Sequence, residues 1–398
     1  MKLNFQRFAI YLVFLTMPFT SAFSISNQIS LSILVFSCAV FILLLDIKNY
    51  LILRGDSVNN FIIAVSIIGI PLPIIAVITS LNYHVELRFG HILARTLFYF
   101  LILGAIIYMR AFARCGPVKI KIIIEFTYFL TLIVCVIDAL NLFGIIDVNL
   151  ARGDVAQLVV SYGDLYRIRG PFEEPGYLGA FVAATLPIYL HISNNQVFKF
   201  IIISVLTVLL SLSANFVIWM FVYLILWFIL SLFQITLHKL LRRQNIIIFA
   251  FVAAFIVLAV FEFDIFDIIY GKFLGKSYNE RIESYSIIIE LSKHPIKLLF
   301  GFGPGYFLST DFSQPTSILV STLIELGLLG LFIFLSIYFI NIFMLVRRRA
   351  AVHLAIGCIA YSIFIMTTPG YYFPFYVLPL LYWTFFKATS LWPLGKSV

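Results

Sequence analysis

The sequence predicts an all-α, polytopic integral membrane protein with about twelve transmembrane helices. Of its 398 residues, 62% are hydrophobic and 11% are charged, whereas a soluble globular chain is about 45–50% apolar and about 25% charged. A helix needs about 20 apolar residues to cross a bilayer, and runs of this kind recur along the whole chain. These observations exclude a water-soluble enzyme and predict a single transmembrane domain over residues 1–398.

The candidate spanning segments are separated mostly by short loops. Prolines within several of them, such as Pro71, Pro187 and Pro379, predict kinks. The first segment has features of a secretory signal peptide, but Ser21-Ala22-Phe23 is a poor cleavage context, so an uncleaved first helix is favoured. The segments lie at residues 8–24, 29–46, 60–80, 90–109, 121–144, 176–193, 197–212, 215–237, 245–263, 315–346, 350–368 and 371–387.

The distribution of charge predicts the orientation in the membrane. When the N-terminus is placed in the cytoplasm, most of the 27 Lys and Arg residues fall in cytoplasmic segments and most acidic residues fall outside, as the positive-inside rule requires. Both termini are therefore predicted to be cytoplasmic. The net charge of +9 is mostly a topology signal, which removes nucleic acid as a partner. The four cysteines have no spacing typical of a disulfide or metal site, and no cofactor is expected.

Two long outward-facing loops are predicted, at residues 145–175 and 264–314. Loops this long in a compact helical protein are usually functional or disordered. Both mix aromatic residues, glycines, prolines and charges, which is typical of a structured surface. Within the second loop, residues 279–293 predict a short amphipathic helix that ends at His294-Pro295. Its apolar face would hold Ile282, Tyr285, Ile288 or Ile289, and Ser292.

The first loop ends in the segment Tyr166-Arg-Ile-Arg-Gly-Pro-Phe-Glu-Glu-Pro-Gly-Tyr177. Pro175 suits the first turn of the following helix, which places Glu173 and Glu174 at a helix N-terminus, where the helix dipole stabilises a carboxylate. Two interpretations stay open for these glutamates: they start the helix with the nearby arginines as surface partners, or they act in a site. Arg169 lies in a turn stiffened by Gly170 and Pro171, which favours a functional role.

The second loop ends in a glycine-rich segment, Leu298-Leu-Phe-Gly-Phe-Gly-Pro-Gly-Tyr306. No strand–helix unit surrounds it, so a dinucleotide-binding loop is rejected. The glycines predict a backbone turn that lets a ligand or another helix approach closely.

Charged side chains within the membrane cost about 2.5–3.5 kcal/mol each and tend to face protein or water. Glu325 lies about ten residues into its predicted helix. Arg95 and Asp138 lie at similar depth in neighbouring helices and are a hypothetical pair.

Three motifs occur in a fixed order along the chain. They are Arg169-Gly-Pro-Phe-Glu-Glu-Pro-Gly-Tyr177, His294-Pro-(x)5-Gly301-Phe-Gly-Pro-Gly-Tyr-Phe307 and Ser321-Thr-Leu-Ile-Glu-Leu-Gly-Leu-Leu-Gly330. Together they resemble successive motifs of the O-antigen polymerase and ligase superfamily, which contains Wzy-type repeat-unit polymerases and lipid A-core ligases. The resemblance covers residues 150–330 in motifs and the whole chain in hydropathy.

The resemblance implies a metal-independent glycosyltransferase at the periplasmic face of the bacterial inner membrane. Its substrate would be a polyprenyl-diphosphate-linked oligosaccharide, whose repeat units the enzyme would join into O-antigen, capsule or exopolysaccharide. Membrane lipid, a chain-length regulator and a flippase would be its partners. No cofactor is implied.

The resemblance also implies roles for individual residues. Arg169 and Arg281 would be catalytic and stabilise the departing diphosphate, because arginine binds phosphate bidentately without a metal. Glu173 or Glu174 would be the general base. The substrate-binding residues would be Arg167, Gly170, His294, Gly301, Gly303, Gly305, Tyr306 and Glu325.

Two alternatives remain beside the polymerase. Ligases of the superfamily carry a His-Asn pair shortly before the glutamate of the third motif, and Thr316-Ser317 stands there in this chain. A ligase that transfers polymer to lipid A-core is therefore less favoured. A transporter or flippase of lipid-linked oligosaccharide also suits about twelve spans, but no internal repeat is visible and the motifs are concentrated in the outer loops.

Overall fold

The computed structural model describes most of the predicted helices. It covers residues 2–20, 31–44, 57–80, 89–146, 161–162, 165–166, 168, 170–172, 174–193, 197–234, 287–304, 306, 317–367 and 374–390. Nearly all of these residues are helical, and one short antiparallel pair joins β1 (Ser161–Tyr162) to β2 (Leu165–Tyr166). The all-α class is therefore confirmed.

The first group of helices precedes the β pair. It consists of α1 (Lys2–Thr16), α2 (Leu31–Leu44), α3 (Ser57–Gly69), α4 (Leu72–Ser80), α5 (Phe89–Ala113) and α6 (Pro117–Leu142).

The second group follows the β pair, and residues 287–292 within it are also helical. Short 3-10 segments at Arg349–Ala351 and Leu378–Leu381 connect some of its members. The helices are α7 (Pro175–Ile192), α8 (Val197–Ser211), α9 (Ala214–Gln234), α10 (Pro295–Phe300), α11 (Ile318–Val346), α12 (Val352–Ala360), α13 (Ser362–Thr367), α14 (Pro374–Val377) and α15 (Tyr382–Thr389).

Four helical segments are long and apolar enough to cross a membrane. They are Ser57–Ile78, Pro117–Leu142, Pro175–Ile192 and Ile318–Val346, and they support a membrane protein. Residues 245–263 lie outside the described residues, and the described parts of the other predicted spans are mostly helical. The number of spans and the cytoplasmic position of both termini stay predictions.

The prolines act in different ways on the helices. Pro71 separates α3 from α4, as predicted, and Pro379 lies in the 3-10 segment before α15. Pro187 stays inside the continuous helix α7 and packs so closely on Gly357 of α12 that a Cβ on this glycine would overlap the proline ring. This contact allows α7 and α12 to pack closely.

Hydrogen bonds join the ends of several helices at one end of the bundle, around Pro171 and Leu210, which we call the motif end. There the backbone N–H of Thr20, just after α1, donates to the carbonyl of Pro171 at 3.1 Å. The N–H of Ile168 donates to the carbonyl of Leu210 in α8 at 3.0 Å. The hydroxyl of Ser317, just before α11, donates to the carbonyl of Ile365 in α13 at 3.5 Å. The segment that precedes α7 therefore lies beside the C-termini of α1 and α8, and the segment that precedes α11 lies beside α13.

A buried amide links α11 to the proline-interrupted C-terminal helices. The Nδ2 of Asn341 donates to the carbonyl of Pro379 at 2.6 Å and to the Sγ of Cys358 at 3.1 Å. Its Oδ1 accepts the N–H of Trp383 at 2.8 Å. Backbone polar groups in lipid need protein partners, and Asn341 supplies them where the 3-10 segment interrupts the helical hydrogen bonds.

We expect Asn341→Ala to destabilise the protein by about 1–3 kcal/mol, because it removes the acceptor of the buried Trp383 N–H and leaves the Pro379 carbonyl with only the weak thiol donor of Cys358. Thermal unfolding of the purified protein in detergent measures the effect. Asn60→Ala, an exposed asparagine in α3, is the matched control and should leave the unfolding temperature nearly unchanged. Equal effects of the two substitutions would contradict a structural role for the Asn341 amide.

Candidate functional site

The second and third motifs meet in one structure, which we call the glycine junction: residues 297–304 against residues 324–327. The long helix α11 is interrupted at Gly327, whose φ of 68° and ψ of −167° are not helical. Next to this break, the carbonyl of Ile324 accepts the N–H of Phe302 at 2.8 Å, and the carbonyl of Glu325 accepts the N–H of Gly303 at 3.2 Å. The glycine-rich segment thus binds directly to the backbone of α11.

Glycine is required on both sides of the junction. Gly301 has a φ of 84°, and a Cβ built on it would overlap the backbone of Glu325. A Cβ on Gly327 would likewise overlap the backbone of Leu299. Positive φ values and close backbone approach both favour glycine. The predicted close approach of Gly301 to another helix is confirmed, and the partner is α11.

A small apolar cluster joins the glycine junction to the helical residues 287–292. Ile287, Leu291, Phe302 and Ile324 are its buried members. The helical residues 287–292 therefore bury the Ile287 and Leu291 side, while Ile289 is exposed. Of the two residues predicted as alternatives for the apolar face, Ile288 packs on the cluster and Ile289 does not, and the prediction is wrong for Ser292, which is exposed because the segment packs on α11 through Ile287 and Leu291. The predicted end of the helix at His294-Pro295 is confirmed.

Lys297 is a functional candidate that the sequence analysis missed. Its side chain is only 5% exposed, and its Nζ lies 4.6 Å from the centroid of the Phe302 ring. The ring of Phe302 stacks on Tyr306 with centroids 4.4 Å apart. The signal was present in the sequence, since Lys297 interrupts the apolar run Pro295-Ile-Lys-Leu-Leu-Phe300.

Exposed charges surround this lysine. The Oε2 of Glu290 accepts from the Nζ of Lys293 at 2.8 Å, and its Oε1 lies 3.5 Å from the Nε2 of His294. The hydrogen bond from Lys293 lowers the pKa of Glu290. Burial lowers the pKa of Lys297, and the negative charge of Glu290 offsets part of this change. Burial raises the pKa of Tyr306. His294 is partly exposed and occupies the N-cap position of α10.

Glu325 lies at the break in α11, where its side chain is 6% exposed. Its backbone carbonyl bonds to Gly303, so two predicted substrate-binding residues are in contact. Lys297, Glu325 and Arg110 are the buried Lys, Arg, Asp or Glu side chains within the described part of the chain. Two of these three belong to the same junction.

The first motif packs on α6 at the motif end. Gly170 has a φ of 60° and lies against the Sγ of Cys135, and its N–H donates to the Oδ2 of Asp138 at 3.0 Å. Phe172 is buried against Phe181 and Phe375. These contacts fix the turn before α7 on the bundle.

The predicted start of α7 is confirmed: Glu174 occupies the N-cap position and Pro175 follows it. Glu174 is exposed, and its side chain does not cap the helix. The pairing of Asp138 with Arg95 stays a prediction, since the Arg95 side chain is outside the described residues.

Several predicted site residues lie outside the described residues. They include both catalytic arginines and one of the two candidate bases, and their positions stay predictions. The residues are Arg167, Arg169, Glu173, Arg281 and Gly305.

A chain of aromatic contacts connects the first motif to the start of the third. Tyr177 in α7 contacts Tyr376, which contacts Tyr361 and then Phe364. The neighbouring Ile365 accepts the hydroxyl of Ser317 immediately before α11. The first motif and the start of α11 therefore lie at the same end of the bundle.

An ion pair that the sequence analysis did not foresee lies at the opposite end. The Nζ of Lys199 in α8 is 2.5 Å from the Oε1 of Glu125 in α6, which also accepts the hydroxyl of Tyr189 at 2.7 Å. This network joins α6, α7 and α8. Among the described residues, no group of three or more His, Cys, Asp or Glu side chains could hold a metal ion.

Comparisons with known proteins do not identify the chain. No protein-family model, no curated protein and no solved structure matches it.

We expect Gly301→Ala and Gly327→Ala to destabilise the protein more than Gly116→Ala does. A Cβ on Gly116, which also has a positive φ, meets open space, so that variant carries only the backbone strain of about 1–3 kcal/mol. The junction variants add an overlap that costs about 1–3 kcal/mol. Thermal unfolding in detergent measures all three, and Gly176→Ala, which has neither problem, is the second control. Equal effects at Gly116, Gly301 and Gly327 would contradict the junction.

Proposed function

We propose that this protein is a polymerase that joins polyprenyl-diphosphate-linked oligosaccharide repeat units into a surface polysaccharide. It would act as a metal-independent glycosyltransferase at the periplasmic face of the bacterial inner membrane. The observation that carries the proposal is the arrangement of the three motifs. Two of them form the glycine junction, and the first packs on the bundle at the end where α11, the helix of the third motif, begins.

The proposed reaction assigns a chemical task to each group. The bond between the sugar anomeric carbon and the diphosphate of the donor breaks, and a bond from that carbon to a hydroxyl oxygen of the acceptor repeat forms. Glu173 or Glu174 takes the hydroxyl proton. Arg169 and Arg281 stabilise the negative charge of the departing diphosphate. The product is a longer glycan on the acceptor lipid, together with free polyprenyl diphosphate.

The described geometry supports this assignment in two ways. The exposed Glu174 lies at the N-terminus of α7, next to the fixed turn at Gly170. The junction, within α11, adds a buried lysine and a buried glutamate. Ionisable groups inside a membrane protein commonly mark a substrate path.

In cells, we expect Arg169→Ala and Arg281→Ala each to reduce polymer formation strongly, since the departing diphosphate loses a charged partner. Removing a hydrogen bond to a charged group costs about 1.5–3 kcal/mol, which corresponds to roughly a 10- to 100-fold loss of rate. Lipid-linked single repeats should accumulate on the outer side of the membrane, as in a strain that lacks the protein. Extraction and sizing of lipid-linked glycans, with membrane protein level checked in parallel, provides the measurement.

Arg348→Ala is the matched control, because Arg348 is an exposed arginine just after α11. It should leave the polymer unchanged. Full-length polymer in the Arg169 and Arg281 variants would overturn the site assignment. In the deletion strain, repeats retained on the cytoplasmic side would indicate a flippase, and normal polymer that fails to reach lipid A-core would indicate a ligase.

The proposed orientation has its own test. A cysteine introduced at Ser309, in the second long loop, should react with a membrane-impermeant maleimide in intact cells. A cysteine at Asn195, between α7 and α8, should react only after permeabilisation. Cys38 and Cys115 are replaced by serine in both variants, since Cys135 and Cys358 are buried. Reaction of both positions from the same side would contradict the proposed topology.

A further inference from the structure

Asp138 binds the backbone of the first motif, although it belongs to none of the three motifs. A helix rises about 1.5 Å per residue, which places Asp138 about 30 Å along α6 from its start at Pro117. The carboxylate therefore lies at the motif end of the bundle. Its Oδ2 accepts the N–H of Gly170 at 3.0 Å.

Two residues of α6, one helical turn apart, fix Gly170 in place. Asp138 binds its N–H, and the Sγ of Cys135 lies so close to it that a Cβ on the glycine would overlap the sulfur. Gly170 also has a φ of 60°, a conformation that glycine adopts at no steric cost. The backbone of the first motif is thus held by contact on one side and by a hydrogen bond on its N–H.

The residues on both sides of Arg169 are bonded to different helices. The N–H of Ile168 donates to the carbonyl of Leu210 in α8 at 3.0 Å, and the N–H of Gly170 donates to Asp138 in α6. Ile168 also packs on the main hydrophobic core. Arg169 is covalently joined to both anchored residues, so the two bonds restrict the freedom of its backbone.

This restriction matters for a group that stabilises charge in a reaction. Donors lower a barrier most when they are already oriented toward the place where negative charge develops. A displacement of about 1 Å in a positioned group can cost about 100-fold in rate. The nitrogen of Gly170 is bonded to the carbonyl carbon of Arg169, so a hydrogen bond on this nitrogen acts one peptide unit from the arginine.

We propose that Asp138 is a positioning residue: its bond to the Gly170 N–H fixes the first motif so that Arg169 stabilises the departing diphosphate. The inference rests on the proposed function for the reaction and on the hydrogen bond for the role of Asp138. It requires only that Asp138 accepts this N–H, and it holds with any further contacts that the carboxylate makes. An ionised acceptor makes a stronger bond than a neutral one.

The first test measures the backbone directly. Amide hydrogen exchange is followed in the full-length protein in phosphatidylcholine nanodiscs, in peptides that cover residues 168–172. Asp138→Ala should raise the exchange rate there by about 10-fold, because a protected N–H loses its acceptor. Asp138→Asn keeps an acceptor oxygen and should restore part of the protection. Asn141→Ala, about one turn further along α6, is the matched control and should change the rate by less than about twofold. Unchanged exchange in Asp138→Ala would overturn the proposal.

The second test measures the reaction with lipid-linked single repeats extracted from a strain that lacks the protein. Asp138→Ala should lower kcat by about 10-fold and change KM by less than about threefold, because the charge of the departing diphosphate develops in the transition state. Asp138→Asn should recover part of kcat, and Asn141→Ala should match the wild type. A change confined to KM would overturn the positioning role.

The third test asks whether Asp138 acts through Arg169. In the Arg169→Ala background, adding Asp138→Ala should lower kcat by less than about twofold further, because the group that Asp138 positions is already absent. Losses that multiply would show an independent effect on the fold and would overturn the proposal. If thermal unfolding shows that Asp138→Ala does not fold, Asp138→Glu, which moves the acceptor by one methylene group, takes its place in all three tests.

The outcomes separate this inference from the proposed function. Wild-type kinetics in Asp138→Ala, together with reduced kcat in Arg169→Ala, would overturn the role of Asp138 and leave the polymerase proposal intact. Normal polymer in a strain that lacks the protein would overturn the polymerase proposal and the reaction step assigned to Asp138. Faster exchange in Asp138→Ala would then still support Asp138 as the residue that fixes the first motif.

Discussion

The backbone contact between the glycine-rich segment and the broken helix α11 is the constraint on which the candidate site depends. A break in an apolar helix exposes carbonyl groups that lipid cannot satisfy. The carbonyls of Ile324 and Glu325 find their partners in Phe302 and Gly303. The break at Gly327 and the turn at Gly301 thus require each other, because either one alone would leave buried polar groups unpaired or would force two backbones to overlap.

The same physical requirement is met differently elsewhere in the bundle. Near Pro379, the helical hydrogen bonds are also interrupted, and a single side chain, Asn341, supplies both the donor and the acceptor. A side-chain amide closes such a gap without bringing another segment into the helix. The junction uses a loop backbone instead, and this choice brings Lys297, Phe302 and Tyr306 against α11. The broken helix therefore has a charged and two aromatic side chains packed at its break, whereas the Asn341 network only holds helices together.

Sequence reasoning predicted the helices well because apolar runs of spanning length are a local property. Pro71 and Pro379 interrupt their helices as expected, and the close approach of Gly301 followed from glycine chemistry. The partner of Gly301 could not be predicted, since Gly327 is far along the chain and only folding brings the two together. For the same reason the buried face of residues 287–292 was misplaced, as it follows the position of α11. Lys297 was missed because it lies in the predicted loop 264–314, where a lysine is normally exposed to solvent.

The difference between Lys293 and Lys297 shows how the fold, and not the residue type, sets the properties of a charge. The two lysines stand four residues apart, yet one pairs with Glu290 in solvent and the other is buried against an aromatic ring. Phe302 can lie against Lys297 only because its N–H is bonded to Ile324, and that bond exists only because α11 is broken at Gly327. A glycine in the third motif therefore affects the environment of a cation within the second motif. This dependence gives the two motifs a physical reason to occur together in one chain.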